Sequence, residues 1–230
     1  MRPEALAPPD PMMGVVGVDG RLERAGELYD RAVFGGDVAV LEVADRELDG
    51  VEADLALARG RVLHARFLDG QSDGQGDEEL GLFERAAELY RALGDVRGEG
   101  EALLWVGIFH QVVRGDEAPA AAAFERAHEL ATRTGDKLTL SYVLRHLGIA
   151  EHMAGRLPAA RERLEESVRL RREIGFMTGV AANLVGLAYI AAAERRREDA
   201  VAVLDEAAEI AEAEGAATVL AWVEEARGQF

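Results

Sequence analysis

Four glycines set the frame of this chain: Gly94, Gly135, Gly175 and Gly215 follow one another at intervals of 41, 40 and 40 residues. Each closes a related segment. "FERAAELYRALGD" ends at Asp95 and "FERAHELATRTGD" at Asp136, while two weaker copies, "LEESVRLRREIGF" and "LDEAAEIAEAEGA", end at Phe176 and Ala216. Four copies in register define a repeat array. In such an array each unit buries its apolar face against its neighbours and cannot do so alone.

Each unit divides into two helical halves. The second half carries apolar or small residues at helical spacing, as at Ala160, Leu164, Val168 and Ile174, with charges between them. Pro119 and Pro158 stand near the start of such halves, where proline is tolerated. The marker glycine follows the last turn, where a left-handed residue closes a helix. The first half begins just after that glycine. Short turns join the halves: "RGD" at 114–116, "AGR" at 154–156 and "GGD" at 35–37. The shared slot makes the RGD tripeptide a helix–helix turn, not an adhesion motif. Upstream, 51–68 reads as a first half joined to its partner by a polar loop at 69–77, and 21–34 with 37–48 as a shorter pair. Residues 217–229 form a last helix whose Val219, Leu220, Val223 and Ala226 recur at helical spacing, as a terminal cap requires. The expectation is eleven helices and no strand. Residues 1–20 hold four of the six prolines and read as a flexible tail.

The residues at the packing positions carry a resemblance. Leu144, Leu147, Gly148 and Ala160 in one unit, and Leu184, Leu187, Ala188 and Ala200 in the next, give a bulky residue, a large–small pair and a small residue in the second helix. Phe124 and Ala127, Leu164 and Ser167, and Leu204 and Ala207 extend it. This pattern resembles the tetratricopeptide repeat family. The repeat is longer than the family's usual length of about 34 residues and is similar to the longer-helix variants of kinesin light chains and of regulatory regions in large bacterial transcription activators. The resemblance implies an all-α fold: a right-handed α-solenoid of about five stacked antiparallel helix pairs plus a C-terminal capping helix. It implies one domain over 21–230, with units at about 21–49, 50–95, 96–136, 137–176 and 177–216 and the cap at 217–230.

By the same resemblance the first helix of each pair lines a concave face. The residues expected to point inward are Tyr142, Arg145, Ile149 and His152 in one unit and Ala182, Val185, Tyr189 and Ala192 in the next. In the preceding unit they are Glu101, Leu104, Ile108 and Gln111, where the extra residue blurs the register. Tyr189 is the expected aromatic anchor and Arg145 the polar one.

Charge agrees with this division. The chain has a formal net charge of −17, yet the first halves at 50–68, 96–113, 137–154 and 177–194 sum to zero. The second halves at 78–95, 116–136 and 195–216 carry −3, −3 and −4, and only 156–176 is positive, at +2. An acidic exterior repels nucleic acid and anionic lipid, and a near-neutral wall suits a peptide or helix with an apolar stripe. The absence of cysteine excludes disulfides and thiolate metal sites. Residues 176–193 are uncharged but rich in Ala and Gly and lie in register with charged segments, so they read as a packed helix, not a membrane span. His64, His110, His146 and His152 fall on first halves, but His146 and His152 lie about 240° apart around a helix, and no HExxH occurs. "GEG" at 98–100 follows no strand, no Gly-x-Ser-x-Gly is present, and Ser72, Ser141 and Ser167 are the few serines. Arg161, Arg163, Arg169, Arg171 and Arg172 make one basic helix, read as a solvated face. The expectation is a cytoplasmic, non-catalytic interaction scaffold without cofactor or metal. It would bind a protein or peptide, with self-association into a homo-oligomer compatible. The alternative is a small-molecule receptor or an unusual enzyme using the same groove.

Overall fold

A turn residue in the left-handed region closes nearly every helix of the repeat array, and it recurs every half unit. Gly94, Gly115, Gly135, Gly155, Gly175 and Gly215 all have φ between 66° and 76°, and Arg195, with φ 63°, fills the same slot where a glycine would be expected. The computed structural model describes residues 19–70 and 76–229. Its ten α-helices are α1 Gly20–Gly35, α2 Leu41–Leu68, α3 Gly76–Leu93, α4 Val96–Ile108, α5 Glu117–Thr134, α6 Lys137–Met153, α7 Leu157–Glu173, α8 Met177–Ala193, α9 Arg197–Ala213 and α10 Ala217–Gln229. Among the described residues there is no strand.

Two features depart from the expected element list. First, 37–48 and 51–68 are not separate helices: α2 runs unbroken through Asp49 and Gly50 after a short 3-10 turn, Val38–Val40. A glycine costs a helix about 1 kcal/mol but does not stop it, and Gly50 is buried. Ten helices therefore stand where eleven were expected. Second, α4 continues into a π-helical turn, Phe109–Arg114, before Gly115. This turn takes up the one extra residue of the 41-residue unit. A π-turn inserts a residue without breaking the helix, so the later units keep their register.

The expected tail over 1–20 lies outside the described residues up to residue 18. Asp19 caps α1, its side chain accepting from the Arg21 N–H. The middle of the expected loop, residues 71–75, also lies outside them.

The chain divides into two compact units at Glu52/Ala53, within α2. In the first, α1 buries only Ala25 and Ala32, and Arg24 pairs with Glu47 at 3.0 Å. The second is a series of helix pairs, each helix packed on the next from α3 to α10. Every other helix also meets: α4 touches α6, α6 touches α8 and α8 touches α10. Those first-half helices form one continuous wall. The small residues of the repeat explain how the two helices within a unit approach. A Cβ at Gly107 would meet the Phe124 ring at 2.5 Å, and one at Gly148 would meet Leu164 at 3.1 Å. At the C-terminal end α10 buries Val219, Val223 and Ala226 against α8 and α9.

Candidate functional site

The wall of first-half helices separates the expected groove residues into two groups. Tyr142, Arg145, Ile149 and His152 on α6, Ala182, Tyr189 and Ala192 on α8, and Gln111 in the π-turn are half-buried. Leu104, Ile108 and Val185 are not on an open face. They are 2%, 4% and 6% exposed and belong to the packing between units. Leu104 and Ile108 join Phe124, Ala127 and Val143 in one apolar cluster, with Tyr142 and Leu147 against it. Two aliphatic side chains in the crevice between stacked helices bury more apolar surface there than on the wall.

Gln111 and His146 tie α4's π-turn to α6. The His146 Nδ1–H donates to Gln111 Oε1 at 2.6 Å, and Gln111 Nε2 donates to the His146 carbonyl at 3.1 Å. The imidazole stacks on Phe124, with ring centres 5.4 Å apart. Burial first, and then the nearby Arg145, push the His146 pKa down to about 3, so the ring is neutral. Beside this pair an apolar cavity of ≈ 500 Å³ opens between α5 and α6, lined among others by Phe124, Leu147, Ile149 and Met153. Met153 is 79% exposed at its mouth.

Between α6, α7 and α8 the chemistry changes. Arg171, on the second-half helix α7, is 2% exposed and reaches under the wall. Its Nε donates to Ser141 Oγ at 3.3 Å, and its Nη1 donates to the Gly179 carbonyl at 2.7 Å and to Asn183 Oδ1 at 3.1 Å. Arg145 Nη1 donates to the same Asn183 Oδ1 at 2.8 Å and to the Ala182 carbonyl at 3.0 Å. The Asn183 amide nitrogen donates to Ser167 Oγ at 2.7 Å, and that hydroxyl donates to the Ser141 carbonyl. The rings of Tyr142 and Phe176 flank the Arg171 guanidinium at 4.6 and 5.3 Å. All these acceptors are neutral. Arg171 Nη2 has no partner among the described residues. Burial and then the Arg145 charge push the Arg171 pKa down to about 10, and burial likewise lowers that of Arg145.

The repeat provides the reference for judging this cluster. At the half-repeat slot of Arg171 the neighbouring units have Ala131 and Ala211; at that of Asn183, Val143 and Val223; at that of Ser167, Ala127 and Ala207. All six of those residues are buried and apolar. Arg145 stands where Leu104 and Val185 stand, and Ser141 where Gly100 and Ala181 stand. Gly179 makes the room, since a Cβ there would meet the Phe176 ring at 2.4 Å and Arg171 Cδ at 3.0 Å. Five polar departures from an apolar repeat thus meet at one junction. The sequence expectations singled out Arg145, placed Arg171 on a solvated basic face, took Ser167 both as a packing position of the repeat and as a candidate nucleophile, and weighed Ser141 as a nucleophile alone. Aligning the units position by position is the signal that finds all five.

Among the described residues no group of three or more His, Asp or Glu is placed to hold a metal ion, and no helix is long and apolar enough to cross a membrane. Compared with known families, residues 98–173 match the model described as Tetratricopeptide repeat. No curated protein matches the chain.

Proposed function

Since this chain is a tetratricopeptide repeat protein, matched as such over residues 98–173, and such repeats generally mediate protein–protein interaction, we propose that it is a non-catalytic, cytoplasmic scaffold. Its partner is a peptide or helical segment laid along the wall of α4, α6, α8 and α10. The observation that carries this reading is the half-buried stripe of Tyr142, Ile149, His152, Tyr189 and Ala192, continuous with the apolar cavity at Phe124, Leu147 and Met153. A stripe of aromatic and aliphatic side chains with few charges accepts a segment that presents its own apolar residues at helical spacing. Arg145 is not counted in this stripe, because one of its guanidinium nitrogens is held by the Ala182 carbonyl and Asn183.

The test is quantitative capture of the native partner by the wild type and by Tyr189→Ala and Ile149→Ala. Losing a central anchor costs about 2 kcal/mol, near 30-fold in affinity. Each variant is expected to show that loss with an unchanged helical spectrum. Wild-type capture by both places the partner elsewhere.

A further inference from the structure

We infer that the junction of α6, α7 and α8 is a binding site for an oxyanion, a carboxylate or phosphate group, recognised by Arg171 and Arg145. The inference does not rest on the proposed groove partner. Its first ground is the charge balance. Two guanidinium groups share one amide oxygen, with no carboxylate bonded to either among the described residues. Removing a cation from water is expensive unless an opposite charge is supplied. Around the same spot Arg61 pairs with Glu101 at 3.1 Å, Arg97 with Asp136 at 2.9 Å and Lys137 with Glu173 at 3.0 Å. The local excess of positive charge is therefore Arg145 and Arg171, on a chain of net charge −17.

The second ground is a donor without an acceptor. Arg171 Nη2 is buried and unbonded while the other two guanidinium nitrogens are engaged. A planar guanidinium fixed on two sides presents its remaining N–H groups in a defined direction, the arrangement that suits a carboxylate or phosphate oxygen. The third ground is access. Tyr142 and Phe176, which flank Arg171, also line an open cavity of ≈ 970 Å³. The proposed ligand approaches Arg171 from this cavity, on the side of the Tyr142 and Phe176 rings. The fourth ground is that the apolar version of this junction exists twice in the same chain, at Ala131 with Val143 and at Ala211 with Val223. Folding the repeat does not require the arginine.

The test compares melting temperatures in sodium phosphate, sodium acetate and sodium chloride at equal ionic strength. The variant Arg145→Leu/Arg171→Met/Asn183→Val restores apolar chemistry at the junction. Phosphate or acetate at saturating concentration is expected to raise the wild-type melting temperature by about 4 °C over chloride, and the variant is expected to show no difference among the salts. A larger shift with phosphate assigns a phosphoryl ligand, and a larger shift with acetate a carboxylate. Should the triple variant lose its helical spectrum, Arg171→Gln replaces it, with the same expectation. Equal melting of the wild type in all three salts overturns the inference, as does an equal shift in wild type and variant.

Discussion

The α4–α6 junction and the α6–α8 junction occupy equivalent places in one repeat. At the first, Leu104, Ile108, Phe124 and Val143 close the space with apolar atoms, and the polar pair beside them, Gln111 with His146, is neutral and mutually satisfied. At the second, Arg145, Arg171, Asn183, Ser141 and Ser167 fill the corresponding slots with two cations and a chain of neutral acceptors. The backbones differ at the π-turn of α4, Phe109–Arg114, which carries Gln111; α6 and α8 have 17 residues each and no such turn. An apolar junction is tolerant: volume and contact suffice. A junction built on shared hydrogen bonds depends on each member, because losing one acceptor strands the donors that remain.

The largest expected effect follows from that dependence. Asn183→Val gives the α6–α8 junction the residue found at 143 and 223. It also deprives two guanidinium groups of their common acceptor. Breaking a buried charged contact from one side costs about 3–5 kcal/mol, and urea denaturation is expected to show a loss of that size. A truncation at the equivalent slot of the apolar junction, Val143→Ala, removes only methyl groups and is expected to cost less. Equal losses at the two sites would erase the distinction between the junctions.

A smaller effect separates them by pH. Burial lowers the His146 pKa from 6.5 to about 3. The stability held by the neutral ring is therefore complete above the unfolded value and falls as the pH drops from about 6.5 toward 3, because the unfolded chain takes up the proton first. The slope is about 1.4 kcal/mol per pH unit in the middle of that window. His146→Phe is expected to flatten stability against pH between 6 and 4, measured by urea midpoints. The guanidinium groups at the other junction stay charged throughout that range. An unaltered pH profile in His146→Phe would show that the ring does not titrate as described.

The repeat frame was legible because glycine spacing and apolar periodicity are collective signals. The extra residue of the 41-residue unit was visible in the glycine spacing, but the spacing did not show that a π-turn at Phe109–Arg114 takes it up. The continuity of α2 was hidden by Asp49–Gly50, a pair that punctuates many chains but here sits inside a helix. At the candidate site, Tyr142, Ile149, His152 and Tyr189 were named from the resemblance, with helical spacing putting each set on one helix face, and they are half-buried. The burial of Leu104, Ile108 and Val185 did not follow from that spacing, because inter-unit crevices and open wall differ by a small rotation of the helix. Arg171 was the hardest to place. Its neighbours along α7 include Arg169 and Arg172, which do face solvent in ion pairs, and only its slot in the repeat reveals that it points the other way.

The central claim is that the polar departures at the α6–α8 junction act as one unit. A double-mutant cycle on Asn183→Val and Arg171→Met, read by urea denaturation, tests it most directly. If the unit is real, removing the cation relieves the damage done by removing its acceptor. The double variant should then be more stable than Asn183→Val alone, with a coupling energy of about 2 kcal/mol. Losses that add to within about 0.5 kcal/mol would mean that the two side chains contribute independently and would contradict the claim.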